Sequence, residues 1–186
     1  MKLYHFTRFE NLINILESNK LFFSNLKYSN DPSEGLYPIE VIRDCLQKIC
    51  KDEGEFKTIF RHVNANIISN ENLNLYSISF TSELNSVHSR MEYGDYARGV
   101  AIEFDTDKYN EIIEKKANSN LNIKSVYYDV KCVRREIETI YKNNIEDKNF
   151  FELAKQILLV YPIVKDDLYK IENEYRICFV DGKPYM

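Results

Sequence analysis

The chain has few of the residues that mark the common nucleotide-binding and metal-binding designs. It has five glycines in 186 residues and no Trp. No G-x-G-x-x-G, no phosphate-cradling Gly-rich loop and no G-x-S-x-G elbow occurs. A Rossmann, P-loop or α/β-hydrolase reading therefore has no anchor. The four cysteines, Cys45, Cys50, Cys132 and Cys178, include no C-x-x-C pair, which removes the spacing of a zinc ribbon or a thioredoxin motif. No set of His, Cys and carboxylate residues falls at familiar ligand spacing, so no metal is expected. Neither sign of charge dominates. The net charge of −4 gives no electrostatic reason to expect a nucleic-acid partner. No apolar run approaches the roughly 20 residues that cross a bilayer. The strand-like Leu3-Tyr4-His5-Phe6 follows Met1-Lys2 directly, without the pattern of a secretory signal. A cytoplasmic chain with no membrane partner is the expectation.

What the chain does have is apolar residues in quantity, 44% of the total, with Leu, Ile, Val, Phe and Tyr well supplied. That is a globular composition, and the length suits a single domain over 1–186. Thr7 and Glu10 match a capping box, which predicts a helix starting at Thr7 with Phe9, Leu12, Ile13 and Leu16 on its apolar face and Asn19 as its stop. A short strand is expected over Leu21–Ser24, then a polar turn over Ser29–Gly35. Ile42, Cys45, Leu46 and Ile49 mark a second helix, and Phe56, Ile59, Phe60, Val63 and Ile67 a third, with Gly54 between them. Cys45 and Cys50 read as small hydrophobes of the second helix.

The period then changes from helix to strand. Over Leu75–Ser82, Tyr76, Ile78 and Phe80 point one way and Ser77, Ser79 and Thr81 the other. Residues 83–98 read as irregular. Val100, Ile102 and Phe104 mark a further strand, and Asp105 caps a helix over about 107–117. Ile123–Val133 reads as a strand, and two helices follow near 134–143 and 148–160. The last strand sets Tyr175, Ile177 and Phe179 against Glu172, Glu174 and Arg176. Clean alternation favours antiparallel pairing, and helices early and late with strands between make an α+β fold.

Three strands thus carry a polar face: His5 with Thr7; Ser77, Ser79 and Thr81; and Glu172, Glu174 and Arg176. A half-exposed antiparallel strand always has a polar side, so solvated surface accounts for much of this. Yet His, Ser and Thr are not the Lys and Glu that usually decorate such strands. Two carboxylates next but one on a strand, about 7 Å apart, repel and shift each other's pKa unless a cation intervenes. Arg176 is placed to be that cation, in a salt-bridge ladder or beside a catalytic pair. Thr7 reads equally as a helix cap. His62 looks structural or exposed, and His88 falls in the irregular stretch with no evident role.

Taken in order, Leu3-Tyr4-His5-Phe6-Thr7, Leu21-Phe22-Phe23-Ser24, Asn30-Asp31-Pro32-Ser33-Glu34, Ser77-Ile78-Ser79-Phe80-Thr81, Tyr93-Gly94 through Gly99–Phe104 and Glu172-Asn173-Glu174-Tyr175-Arg176 resemble a bacterial and phage family, domain of unknown function 2971. One element departs from its pattern: where relatives have a Met-Trp pair, this chain has Ser89-Arg90-Met91-Glu92. The family is similar to the ADP-ribosyltransferase fold. The resemblance implies an ADP-ribosyltransferase-like split antiparallel sheet with N-terminal and peripheral helices, binding NAD as substrate in its cleft. It implies transfer of ADP-ribose to an unknown acceptor (protein, nucleic acid, small molecule or water), in phage defence or toxin action. On that pattern His5 holds the adenosine ribose, Ser79 and Thr81 shape the cleft, and Tyr93 or Tyr96 stacks on nicotinamide. Thr7 and Arg176 complete the binding set. Glu174 stabilises the oxocarbenium-like transition state, and Glu172 activates the acceptor as general base. The alternative is an inactive nucleotide-binding or protein-interaction module of the same fold.

Overall fold

A computed structural model describes residues 1–28, 33–68, 74–115, 121–146 and 149–181. The polar turn expected over Ser29–Gly35 falls largely outside them. The described chain divides into two compact units. The first comprises Met1–Ser24, Ser77–Val126 and Leu168–Phe179; the second comprises Asn25–Tyr76 and Tyr127–Asp167, with Val180 onward.

The first unit is built on a sheet. Its strands are β1 (Lys2–Thr7), β2 (Ser24–Asn25), β3 (Asn74–Thr81), β4 (Val100–Asp105), β5 (Ile123–Ser125) and β6 (Glu174–Asp181). They lie in the order β4-β1-β3-β6-β5, with β2 beside β3. β1 runs antiparallel to both β3 and β4, and β5 antiparallel to β6. The three strands singled out by their polar residues, β1, β3 and β6, are therefore consecutive neighbours at the centre of the sheet. The fold is α+β with an open antiparallel sheet.

One face of this sheet is apolar. Leu3, Ile78, Phe80 and Ile177 form its buried centre, with Phe104, Tyr109, Ile123 and Tyr175 packed against them. Phe80 meets Phe104 edge to face at 4.9 Å between centroids. Helix α1 (Phe9–Ser18) follows β1. It starts one residue later than the capping box suggests: its N-cap is Arg8, with no side-chain hydrogen bond, rather than Thr7. Thr7 ends β1 instead, where its hydroxyl accepts a hydrogen bond from Asn11 Nδ2 at 3.0 Å. Strand pairing with Val100 holds Thr7 extended and overrides the local cap. Asn19 does stop the helix, in the left-handed conformation at φ 52°. No residue of α1 is buried, so the expected apolar face points outward. Leu21 and Phe23 pack on the apolar cluster, but only Ser24–Asn25 joins the ladder.

Helices α2 (Ser33–Ile49), α3 (Glu53–Ile68), α6 (Val130–Asn144) and α7 (Phe150–Leu158) make the second unit. Ile42, Leu46, Ile59, Val63, Ile137, Leu153 and Ile157 fill its core. Cys45 is buried there as a small hydrophobe. The break between α2 and α3 falls at Cys50–Asp52, not at Gly54: Asp52 Oδ1 accepts from the Glu55 amide at 2.9 Å and caps α3, while Gly54 lies in its first turn. The strand expected over Ile123–Val133 ends at Ser125. Asp129 accepts from the Lys131 amide at 2.8 Å and starts α6, whose buried residues Val133, Ile137 and Tyr141 recur at helical spacing. Of the alternating residues, Val126 and Tyr128 precede the helix, and Val130 and Cys132 lie off its buried face.

In the first unit, α4 (Val87–Glu92) forms inside the stretch read as irregular. Ser86 Oγ caps it by accepting from the Ser89 amide at 3.1 Å. Helix α5 (Thr106–Lys115) follows β4. Asp105 caps it as expected, accepting from the amides of Asp107 at 3.0 Å and Lys108 at 3.3 Å. These two hydrogen bonds hold its carboxyl below the usual Asp range.

Candidate functional site

Side chains alternate across a strand, and residues directly opposed on neighbouring strands share a face. Leu3 opposes Phe104 and His5 opposes Ile102, while Tyr4 opposes both Glu103 and Thr81. Leu3, His5 and Thr7 therefore stand on the apolar face with Ile78 and Phe80. Tyr4, Phe6, Ser77, Ser79 and Thr81 stand on the other. Because Ile177 belongs to the apolar cluster, Glu174 and Arg176 of β6 share the second, polar face with Ser77, Ser79 and Thr81.

This polar face is not solvated surface. Ser77, Thr81, Glu174 and Arg176 are all buried, at 5, 5, 5 and 3% exposure. Arg176 donates from Nε to Glu174 Oε1 at 2.7 Å and from Nη2 to Oε2 at 3.0 Å. Both carboxylate oxygens are thus held by one guanidinium in a bidentate, charge-assisted pair. Arg176 is the cation expected from the spacing, and it serves Glu174.

Glu172 has a different place. It does not lie on β6 but closes a 3₁₀ turn over Asp167–Glu172. Asn173 then takes a left-handed φ of 43°, a conformation Asn tolerates better than most residues. It is pinned there by Nδ2 donating to Ser82 Oγ at 2.7 Å. The kink is why the Glu-x-Glu spacing does not put both carboxylates on one strand face. Glu172 is buried at 5% exposure. Its Oε1 accepts from the Tyr93 hydroxyl at 3.0 Å and faces His88 Nε2 at 3.6 Å. The His88 and Tyr93 rings meet edge to face. His88 was passed over in the sequence because α4, which carries it, was not recognised. The cap at Ser86 was the available signal.

Tyr93 follows α4, and Tyr96 lies three residues on. Asp95, Tyr96 and Ala97 all have left-handed φ, at 49, 55 and 64°. Three consecutive non-Gly residues in that region carry about 1–2 kcal/mol of strain each. The turn is held by backbone hydrogen bonds from Ala97 to Arg90 O at 2.9 Å and from Gly99 to Gly94 O at 2.8 Å. Gly99 permits this closure: a Cβ there would lie 2.3 Å from Thr7 O. Phe6, Arg90, Gly94, Ala97 and Gly99 line a cavity of about 200 Å³. Phe6 puts it on the polar face of the sheet. Tyr93 is 44% exposed and Tyr96 71%.

His5 stands apart from this cluster. Its Nδ1 lies 2.8 Å from the Ser79 carbonyl. A carbonyl only accepts, so Nδ1 carries the proton. The ring packs edge to face on Phe80. Burial pushes the imidazole below its ordinary value, against a smaller upward pull from the Ser79 carbonyl. The structure thus brings Ser79, Thr81, Glu174 and Arg176 onto one sheet face and joins Glu172 to Tyr93. His5 and Thr7 lie on the opposite face.

Among the described residues no group of three or more His, Cys, Asp or Glu is arranged to hold a metal ion, and no helix is long and apolar enough to cross a membrane. The architecture defines an α+β protein whose central strands carry buried polar groups. Residues 91–177 match the family described as Protein of unknown function (DUF2971), and over that stretch the resemblance to that family holds. It takes in α4 from Met91, β4, the Glu172 turn and the start of β6. No curated protein and no solved structure matches the chain.

Proposed function

We propose that the first unit transfers ADP-ribose from NAD, as substrate, to an acceptor nucleophile. The observation that carries this reading is the buried Glu172 beside β6, hydrogen-bonded by Tyr93 and faced by His88. Cleavage of the nicotinamide–ribose bond develops positive charge on the sugar. A preorganised carboxylate in a buried site stabilises that charge. Glu172 is our candidate for this role: a neutral hydroxyl, that of Tyr93, donates to it, whereas the Arg176 guanidinium holds Glu174 in a bidentate ion pair. Glu174 and Arg176 then act as a fixed pair that orients the start of β6. The cavity beside Gly94 and Gly99 suits one planar ring, and Tyr93 and Tyr96 flank it in sequence as stacking partners. Ser79 and Thr81 line the same sheet face, and His5 supports it from behind through the Ser79 carbonyl.

Nicotinamide release from NAD tests the reading, with wild type, Glu172→Gln and Glu174→Gln compared. Wild type releases nicotinamide, and Glu172→Gln loses at least about 100-fold, the scale of one preorganised electrostatic group. Equal rates for wild type and Glu172→Gln rule the assignment out. The Glu174–Arg176 pair favours one other reading, a module that binds a nucleotide without consuming it. NAD binding by calorimetry with no nicotinamide released selects that reading.

A further inference from the structure

We infer that β4 is a self-association edge, on which two copies of the chain join their sheets by antiparallel pairing of Ala101–Glu103 about a two-fold axis. The inference goes beyond the transfer reading and does not depend on it. Among the described residues β4 ends the sheet and pairs with β1 alone. The Thr106 amide donates to the Met1 carbonyl at 2.9 Å, and these two residues continue the register of Lys2 with Asp105. In an antiparallel ladder, opposed residues that exchange hydrogen bonds alternate with opposed residues that do not. Val100, Ile102 and Phe104 therefore bond to β1, while Ala101, Glu103 and Asp105 turn their amide and carbonyl groups away from it. The Gly99 amide is next in that series, and it too donates away from β1, to Gly94 O at 2.8 Å. The loop thus covers the edge as far as Gly99, and α5 begins after Asp105. Between them Ala101 and Glu103 present outward backbone groups. The strand, Val-Ala-Ile-Glu-Phe-Asp, has neither the Pro nor the Lys that commonly guards an edge.

The same strand of a second copy fits this edge in one register. An axis at Ala101 would set Glu103 against the partner's Gly99, whose amide is already taken within its own loop. An axis at Glu103 would set two Glu103 side chains face to face, and one at Phe104 would set Glu103 against the partner's Asp105. Like charges directly opposed are destabilising. An axis at Ile102 avoids all three. It pairs Ala101 with the partner's Glu103 and Glu103 with the partner's Ala101, and each pair exchanges both of its backbone hydrogen bonds. On the apolar face Ile102 meets the partner's Ile102, and Val100 meets the partner's Phe104. On the polar face the partner's Glu103 arrives beside Ala101, which shares the cavity wall with Arg90. Arg90 is exposed and the Glu103 side chain is 48% exposed, so both charges can be reached. A carboxylate of each copy then meets a guanidinium of the other, the reciprocal contact of a two-fold interface. Glu103 Oε1 also pairs with Lys2 Nζ at 2.8 Å, but an exposed pair of that kind contributes little and leaves Oε2 for Arg90. The paired stretch is short. It buries less than the roughly 800 Å² per partner of a standard interface, so the dimer is weak and forms at on the order of 100 µM chain.

Sedimentation velocity of the full chain, from about tenfold below that concentration to about fivefold above it, tests the inference. Wild type shifts from monomer to dimer across the range. Glu103→Arg and Arg90→Glu each weaken the dimer by at least about tenfold, because an attraction becomes a repulsion at two symmetric places. The two changes together restore the affinity to within about threefold of wild type. Ala101→Pro removes an outward donor and leaves the bonds of Val100 and Ile102 to β1 in place, as an edge strand tolerates, and it gives a monomer. Hydrogen exchange reads the register directly: the amides of Ala101 and Glu103 slow as the concentration rises, and that of Ile102, already bonded to β1, changes little. A chain that stays monomeric throughout overturns the inference. So does a dimer that survives Ala101→Pro and Glu103→Arg, or one whose Ala101 and Glu103 amides exchange as fast as in the monomer, since another surface then joins the copies. Should a variant fail to fold, the exchange pattern of wild type decides alone.

Discussion

At the scale of single residues, the buried charges decide what each side chain can do. Glu174 and Arg176 are both removed from water and satisfy each other. Removing one partner leaves an uncompensated buried charge, at a cost of about 3–5 kcal/mol. Arg176→Leu is therefore expected to destabilise the fold by that amount in urea denaturation, and Glu174→Leu with Arg176→Met together to cost far less. Equal losses for the single and double changes would show that packing, not charge, dominates. His5 gives a pH signature. Its native value lies below the ordinary 6.5 because burial disfavours the imidazolium. As pH falls through 6.5, the unfolded chain takes up a proton that the folded chain refuses, so stability falls. The decline continues down to the depressed native value and then levels off. Comparing denaturation midpoints at about pH 7.5 and 5.5, wild type is expected to lose more than His5→Gln. An identical pH dependence would mean that His5 is not held neutral.

At the scale of elements, the loop from Tyr93 to Gly99 holds the strain and the helices hold the lesson about legibility. Ala97 is left-handed at φ 64° with no side chain to justify it. Ala97→Gly relieves about 1 kcal/mol of strain, partly offset by the entropy of glycine in the unfolded chain, and is expected to raise the thermal midpoint. Gly99→Ala acts in the opposite sense, since its Cβ would meet a strand carbonyl of β1. A loss of about 1–3 kcal/mol is expected, and an unchanged midpoint would mean the loop yields easily. Strands β3, β4 and β6 were legible because alternation in Tyr76–Phe80, Val100–Phe104 and Tyr175–Phe179 is set by local period alone. The start of α1 was not, because a capping box is a local preference and the β1 ladder is a stronger, non-local one. Val130 and Cys132 misled for the converse reason: they continue the two-residue alternation of Val126 and Tyr128, but they lie off the buried face of α6, and the cap at Asp129 is the local signal that the period changes. Of the candidate site, residue types and strand neighbourhood could be read from the pattern. The split of His5 from Ser79 onto opposite faces could not, because it depends on the pairing of Tyr4 with Thr81. Nor could the displacement of Glu172 from β6, which turns on the backbone of one Asn.

At the scale of the whole molecule, the sheet unit is assembled from three separated stretches of chain, and this limits what any shorter piece can do. The family match covers residues 91–177, yet that stretch contains neither β1 nor β3. In the sheet order β4-β1-β3-β6-β5, removing β1 and β3 takes out the two strands that join β4 to β6. It also deletes Leu3, Ile78 and Phe80, leaving Ile177 alone of the four buried residues at the centre of the apolar cluster. Edge strands without their neighbours do not form a stable sheet in water. A fragment of residues 91–177 is therefore expected to lack cooperative unfolding and to show weak strand signal by circular dichroism, whereas the full chain unfolds cooperatively. Adding a second fragment of residues 1–90 should restore β1 and β3 in trans, and with them the Tyr93–Glu172 contact. If residues 91–177 alone unfold with a sharp transition, the stretch is an independent domain, and the central position of β1 and β3 is not what holds the sheet together.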